Sequence, residues 1–151
     1  MRRYFIVLAL LVVVLPSRAT AQLGSVQESL LVHLNLSLAM PARAPVPLLV
    51  RIHATDRIND TYYTSQDDPS QNASLDWQQD LPLSVSDTSP LRLIFQITTE
   101  DGSPPPAGYA IQWQYSTNGS FQYMAGNTVT IPAGSSGDMD LTVRGTVVAA
   151  Q

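Results

Sequence analysis

The feature that most constrains this chain is an alternation of apolar and polar residues with a period of two. Its clearest run has leucine or valine at every second position from residue 30 to residue 38, with His33 and Asn35 among the residues between them. Successive side chains of a β-strand point to opposite faces, so this pattern predicts a strand with one buried face. No segment of useful length shows the 3.6-residue period of an amphipathic helix. We therefore expect the core to be built from strands.

The same alternation returns several times between segments rich in proline, glycine and polar residues. Seven to nine short strands are expected, at 30–38, 48–54, 61–64, 81–85, 91–97, 109–115, 121–123, 129–131 and 141–147. Many short strands separated by turn signals are typical of β-sandwiches. The fold is therefore predicted to be all-β: a single two-sheet antiparallel sandwich, immunoglobulin-like, with Trp113 in its core. A barrel or a jelly roll is the alternative that the sequence leaves open.

Two local signals add detail to this expectation. Asn118-Gly119 stands between two predicted strands, and both residue types tolerate the positive φ angles that a type I′ hairpin turn needs. Gly145 lies inside the last predicted strand, where an isolated glycine often indicates a β-bulge.

The N-terminus has the three parts of a secretory signal peptide. Arg2 and Arg3 precede an unbroken apolar run from Phe5 to Leu15, and Ala19-Thr20-Ala21 then forms a small-residue cleavage site. The sequence therefore predicts a signal peptide over 1–21 and a β-sandwich domain over 22–151. The apolar run is shorter than the ~20 residues of a membrane span, so we expect no stable membrane anchor after cleavage. The expected location is secreted, periplasmic or at the cell surface.

Composition excludes several classes of function. The chain has no cysteine, so no disulfide can stabilise it, and all eight of its basic residues are arginine. The absence of lysine and the plain signal favour a bacterial source. Removal of residues 1–21 leaves five arginines against twelve acidic residues, a net charge of −7. Such an acidic domain is a poor ligand for nucleic acid, because it cannot neutralise phosphates.

Residues 56–90 are rich in Asp, Ser, Gln, Asn and Thr and are predicted to form a long polar loop region. Tyr62, Tyr63 and Trp77 fall within it. Tyrosine and tryptophan in such surroundings provide a large contact area at low entropic cost, so these three are the candidate binding residues for a protein partner or a glycan. The alternative is that they cover the core beneath the loop.

The same region contains carboxylates of the kind that Ca²⁺ prefers. Their spacing matches no calcium-binding loop and the glycine turn is missing, so a solvated acidic loop is the stronger interpretation. The weak metal candidates are Asp56, Asp60, Asp67 and Asp68.

Catalysis finds little support in the sequence. His33 and His53 are the only histidines, both on the polar side of a predicted strand, and no nucleophile elbow, zinc-binding helix or phosphate-binding loop occurs. No cofactor is expected. The prediction is a non-enzymatic exported protein that acts in binding or assembly, with a protein partner or self-assembly favoured over a small molecule. A carbohydrate-binding or accessory module of an extracellular enzyme system is the alternative.

The first predicted strand suggests one route to assembly. An alternating strand close to the new N-terminus of an exported all-β domain resembles the donor strand of chaperone–usher pilins, which completes a neighbour's sandwich by strand addition. The resemblance implies a pilin-like or adhesin-like subunit, although the disulfide common in such subunits is absent. The alternative is that this strand pairs within its own domain. The residues that would be exchanged are Leu30, Val32, Leu34, Leu36 and Leu38.

Overall fold

The structure, a computed structural model, describes residues 25–39, 48–56, 60–64, 74–99, 101–104 and 109–149. Nine strands occur in these ranges: β1 (Gln27–Ala39), β2 (Leu48–Thr55), β3 (Asp60–Thr64), β4 (Ser74–Ser86), β5 (Leu91–Thr99), β6 (Tyr109–Ser116), β7 (Gln122–Tyr123), β8 (Thr128–Ile131) and β9 (Gly137–Ala149). Among the described residues, no helix is long and apolar enough to cross a membrane. The predicted signal peptide lies outside the described residues.

The nine strands form two sheets. Sheet A has the order β4-β1-β9-β6-β7, and sheet B has the order β3-β2-β5-β8. The all-β prediction is confirmed. The apolar residues that face inward from both sheets belong to one core cluster, which gives the molecule a sandwich-like arrangement.

Strand β1 is an interior strand of sheet A, with a partner on each side. It pairs with β4 from Gln27 to Ala39 and with β9 from Leu30 to Ala39. The pairing with β9 is parallel, which corrects the prediction of a purely antiparallel sandwich. Tight turns enforce antiparallel pairing only between strands that follow each other closely, whereas most of the domain separates β1 from β9.

The inward face of β1 supplies the centre of the core. Its five alternating leucine and valine side chains are almost completely buried, and they pack against inward residues of the neighbouring strands and of sheet B. Burial of one such side chain contributes about 1.5–3 kcal/mol relative to exposure. The alternation that identified β1 in the sequence is therefore also what ties the two sheets together.

The region predicted as a long polar loop contains two strands, β3 and β4. Strand β4 is thirteen residues long, considerably more than the short strand expected at 81–85. It lies at the edge of sheet A with its polar side chains on the outer face, and Gln79 is exposed although it is opposite the buried Leu34. These polar residues concealed the alternation of Leu75, Trp77 and Leu81.

The turn and bulge predictions are both corrected. No residue other than glycine has a positive φ among the described residues, so Asn118 is not in the conformation that a type I′ turn requires. Its side chain instead accepts a hydrogen bond from the backbone N–H of Ser120 at 3.1 Å. At Gly145 the pairing of β9 with β6 continues without a bulge. A larger residue than glycine does not fit at this position, because the Trp113 ring and a Leu38 methyl group occupy the space that a Cβ would need.

We expect Gly145→Ala to destabilise the protein by about 1–3 kcal/mol, the usual effect of overpacking a core. A Cβ at this position would lie 2.6 Å from Trp113 Cζ3 and 2.8 Å from Leu38 Cδ1. Thermal denaturation followed by circular dichroism measures the effect. Thr146→Ala, at the next and exposed position of β9, is the control and should change stability little. A gain in stability, as replacement of a strand glycine would give without this contact, would contradict the packing described.

Candidate functional site

The three aromatic residues predicted to bind a partner are separated by the fold. Trp77 is in the core cluster and only 8% exposed, so neither ring face is available to a ligand. Tyr63 is partly buried; its hydroxyl donates a hydrogen bond to the Pro82 carbonyl at 3.0 Å, and burial raises its pKa. Tyr62 alone is open, at 63% exposure, and its ring stacks on His53 with 4.2 Å between centroids. The three do not form one binding surface.

Tyr63 has a structural role instead. It belongs to β3, the edge strand of sheet B, and its hydrogen bond reaches β4, the edge strand of sheet A. This contact joins the two sheets along one side of the sandwich.

The weak metal candidates gain no support from the fold. Asp67 and Asp68 lie outside the described residues, as does the side chain of Asp60. Asp56 is partly buried at the end of β2. Among the described residues, no group of three His, Asp or Glu side chains is close enough together to hold a metal ion.

On the other side of the sandwich, opposite the β3–β4 edge, a groove opens between the two sheets. Its volume is about 600 Å³, and the apolar side chains on its walls come from β5 and β6. Phe95 and Trp113 meet across the sheets, with 5.8 Å between ring centroids, and both are almost fully buried. Ile97 and Ile111 are partly exposed nearer the opening. We call this feature the β5–β6 groove.

The groove exists because two strands are short. Strand β8 pairs with β5 only from Leu91 to Ile94, and β7 pairs with β6 only at Gln114 and Tyr115. The remaining parts of β5 and β6 have no neighbouring strand on that side among the described residues. Ile97 lies in the first of these stretches.

Backbone hydrogen bonds show where the two open edges begin. The N–H and C=O of Phe95 both bond to Asn127, each at 2.8 Å, and the Trp113 carbonyl accepts the Met124 N–H at 3.0 Å. Backbone groups two residues apart on a strand point to the same side. The N–H and C=O groups of Ile97 and Ile111 therefore point to the open side, each on one sheet.

The loop at 101–104 closes one end of the groove and is held by its own hydrogen bonds. The Asp101 carboxylate accepts hydrogen bonds from the Thr99 hydroxyl and the Ser103 N–H, and these bonds hold the pKa of Asp101 below its usual range. The Thr99 N–H also bonds to the Ser103 carbonyl at 2.9 Å. Gly102 takes φ = 86° in this turn, a conformation that favours glycine.

Sequence reasoning assigned the groove residues to the core and so missed the site. Phe95, Ile97, Ile111 and Trp113 all lie on the apolar side of a predicted strand. The sequence feature that indicates the groove is a difference in strand length. The apolar runs at 121–123 and 129–131 are too short to pair along the whole of the long strands beside them. That signal has a meaning only once the strand order is known.

Comparison with known proteins gives no assignment. No protein-family model matches the chain, and no characterised protein matches it in sequence.

A second polar feature lies on the outer face of sheet A. His33 of β1 and Asp80 of β4 are directly opposite each other, and His33 Nδ1 is 2.8 Å from an Asp80 carboxylate oxygen. This hydrogen bond is the main cause that raises the pKa of His33, and the negative charges of Asp80, Asp138 and Asp140 add to it. The imidazolium form is therefore favoured here.

We expect the titration of His33, followed by NMR, to have its midpoint above the ordinary value of 6.5. Asp80→Asn should lower the midpoint, while Asp76→Asn should leave it nearly unchanged. Because the folded-state pKa is raised, the pair stabilises the fold at low pH, and this stabilisation is lost as pH rises through the raised pKa. The effect on stability should be small, since the two side chains are 40% and 68% exposed. Equal midpoints in the wild type and Asp80→Asn would contradict the contact.

Proposed function

We propose that this protein is a non-enzymatic exported domain that acts in binding or assembly at the cell surface or in the periplasm, and that the β5–β6 groove is its binding site. The occupant is an extended segment of a partner protein with apolar side chains at alternate positions. Such a segment adds as a strand beside β6, in the space that the short β7 leaves open. Its apolar side chains then pack on Ile97 and Ile111, which are partly exposed in the groove.

The observation that carries this proposal is the coincidence of an apolar groove with open strand edges. A small apolar ligand needs only the groove, whereas an extended peptide also needs backbone partners. Here the N–H and C=O groups of Ile111 provide such partners next to the apolar walls. A peptide backbone is able to satisfy such groups.

The proposal places strand addition in the groove and not at the position of β1. To leave its own sheet, β1 would have to break its ladders with both β4 and β9 and expose five core side chains. The groove requires no such opening. The alternating pattern at 30–38 remains the kind of segment that fits the groove, whether a second copy or a different protein supplies it.

We also propose that the sandwich is immunoglobulin-like. This proposal concerns the general architecture and not the order of the strands. In its favour, Trp113 is buried between two sheets and packs on the aromatic ring of Phe95. The strand order of sheet A, in which the consecutive strands β6 and β7 are neighbours beyond β9, differs from the CFG order of immunoglobulin domains. Export rests on the signal pattern at 1–21.

A synthetic peptide with the sequence of residues 27–39 tests the groove directly, because it carries apolar side chains at alternate positions. We expect fluorescence anisotropy of the labelled peptide to show binding to the wild-type protein. Ile111→Asp should weaken binding tenfold or more, since a charge replaces an apolar contact worth roughly 1.5–3 kcal/mol when buried. A peptide of the same composition, with its leucines consecutive, should not bind.

Gln112→Asp is the matched control, because Gln112 is the next residue of β6 and its exposed side chain is on the outer face of sheet A. It should bind the peptide as the wild type does. Hydrogen exchange on the wild type gives a second measurement, in which the amide of Ile111 becomes protected when the peptide is bound. No binding by the wild type, or equal binding by Ile111→Asp, would contradict the proposal.

Export has its own test. Intact-mass spectrometry of the protein from the periplasm or medium of a bacterial host should give a mature chain that begins at Gln22. Ala21→Arg should prevent cleavage and retain the precursor, because the cleavage site needs small residues. Accumulation of uncleaved wild-type chain in the cytoplasm would contradict the assignment.

A further inference from the structure

The outer face of sheet A carries many polar side chains, whereas the inner face of the same sheet is mainly apolar. Because residues directly opposite each other on neighbouring strands point to the same face, the pairing registers define rows across the sheet. One row crosses all five strands: Asp76 of β4, Ser37 of β1, Arg144 of β9, Gln114 of β6 and Tyr123 of β7. At about 4.8 Å between strands, this row is about 19 Å long.

The row contains both hydrogen-bond donors and hydrogen-bond acceptors, and an aromatic ring stands at one of its ends. Asp76 accepts hydrogen bonds, Arg144 donates them in a planar fork, and Ser37 and Gln114 do both. Tyr123, at the other end, is 63% exposed and so presents its ring to solvent. Tyrosine rings provide flat apolar area together with a polar hydroxyl.

Arg144, in the middle of the row, is held in place from the side. Its guanidinium carbon lies 3.7 Å from the centroid of the Phe121 ring, a cation–π contact. This contact leaves the polar edge of the guanidinium free to bind. The orientation of a central donor is thus fixed before any ligand arrives, which reduces the entropic cost of binding.

The row also borders a shallow trough on the same face. One depression, of about 230 Å³, is lined by Leu36 and Trp77 and by polar residues of three strands, among them Asn35, Asp76, Gln78 and Arg144. A second depression, of about 330 Å³, shares Asn35 and Gln78 with it and continues to His33 and Asp80. Together they form an extended open surface and not a closed pocket.

We propose that this surface, which we call the sheet A platform, binds a neutral polysaccharide. Pyranose rings carry neighbouring hydroxyls that both donate and accept hydrogen bonds, and they have apolar faces that stack on aromatic rings. The platform offers both, in the Asp76–Arg144 part of the row and in Tyr123.

The charge of the platform selects against anionic polysaccharides. Among the described residues, four carboxylates on this face outnumber the guanidinium of Arg144 and repel a polyanion such as a uronic acid polymer. The four are Asp76, Asp80, Asp138 and Asp140. A neutral polymer of hydroxyl groups is compatible with both signs of charge.

This inference is independent of the β5–β6 groove, because the two sites use different faces of the molecule. The groove lies between the sheets, while the platform is on the outer surface of sheet A. Failure of peptide binding would therefore leave the platform untouched, and the reverse also holds.

Native gel electrophoresis with a polysaccharide in the gel is the test. The probes are hydroxyethyl cellulose, arabinoxylan and dextran as neutral polymers, and polygalacturonate as the polyanion. We expect at least one neutral polymer to retard the wild-type protein and polygalacturonate not to. Tyr123→Ala and Arg144→Gln should each reduce the affinity for that polymer tenfold or more.

Tyr62→Ala is the matched control, because Tyr62 is also 63% exposed but belongs to sheet B. It should be retarded like the wild type, and thermal melts should show all three variants folded. The proposal is overturned if no neutral polymer retards the wild type, if only polygalacturonate does, or if Tyr62→Ala loses retardation as Tyr123→Ala does.

Discussion

The pairing of β1 on both of its sides is the constraint on which the rest of the structure depends. Its ladders with β4 and β9 fix the register of three long strands at once. A slip of one residue would move the five buried leucine and valine side chains to the outer face and His33 into the core. Both partners follow β1 in sequence. The pairing of β1 is therefore complete only when β9, the last of the nine strands, has joined sheet A. The alternating strand near the N-terminus thus organises contacts that are distant along the chain.

The same arrangement explains why the two sides of the sandwich differ. On the side of β4 and β3, a long edge strand and the Tyr63 hydrogen bond to Pro82 join the sheets. On the other side the edge strands are β7 and β8, of two and four residues, and parts of β5 and β6 have no neighbouring strand there within the part of the chain that the structure describes. An uncovered strand edge beside apolar side chains is a site where another chain can pair. The groove and the outer platform are therefore two consequences of one strand order, one at the edge and one on the face.

Alternation predicts strands well where each strand has one solvent-exposed face and one buried face. The strands around Leu34, Phe95 and Trp113 follow it closely, and the structure places them where the sequence does. It fails for β4, because Gln79 on the inward side and Pro82 on the outer side of an edge strand resemble a polar loop. It also fails for function: Trp77 was a candidate contact residue by its polar neighbours, yet its ring is buried in the core. Local composition describes the surroundings in sequence and not those in space.

By itself, the sequence determined the all-β class, the buried face of the long strands other than β4, the acidic charge and the lack of disulfides, because these depend only on residue type and a period of two. Tertiary structure alone decided the parallel β1–β9 pairing, the open edge beside Ile111 and the row from Asp76 to Tyr123. Each of these joins residues far apart in the chain, and local periodicity carries no information on which strands become neighbours. Both proposed sites are made of such neighbours, which is why neither could be found from the sequence.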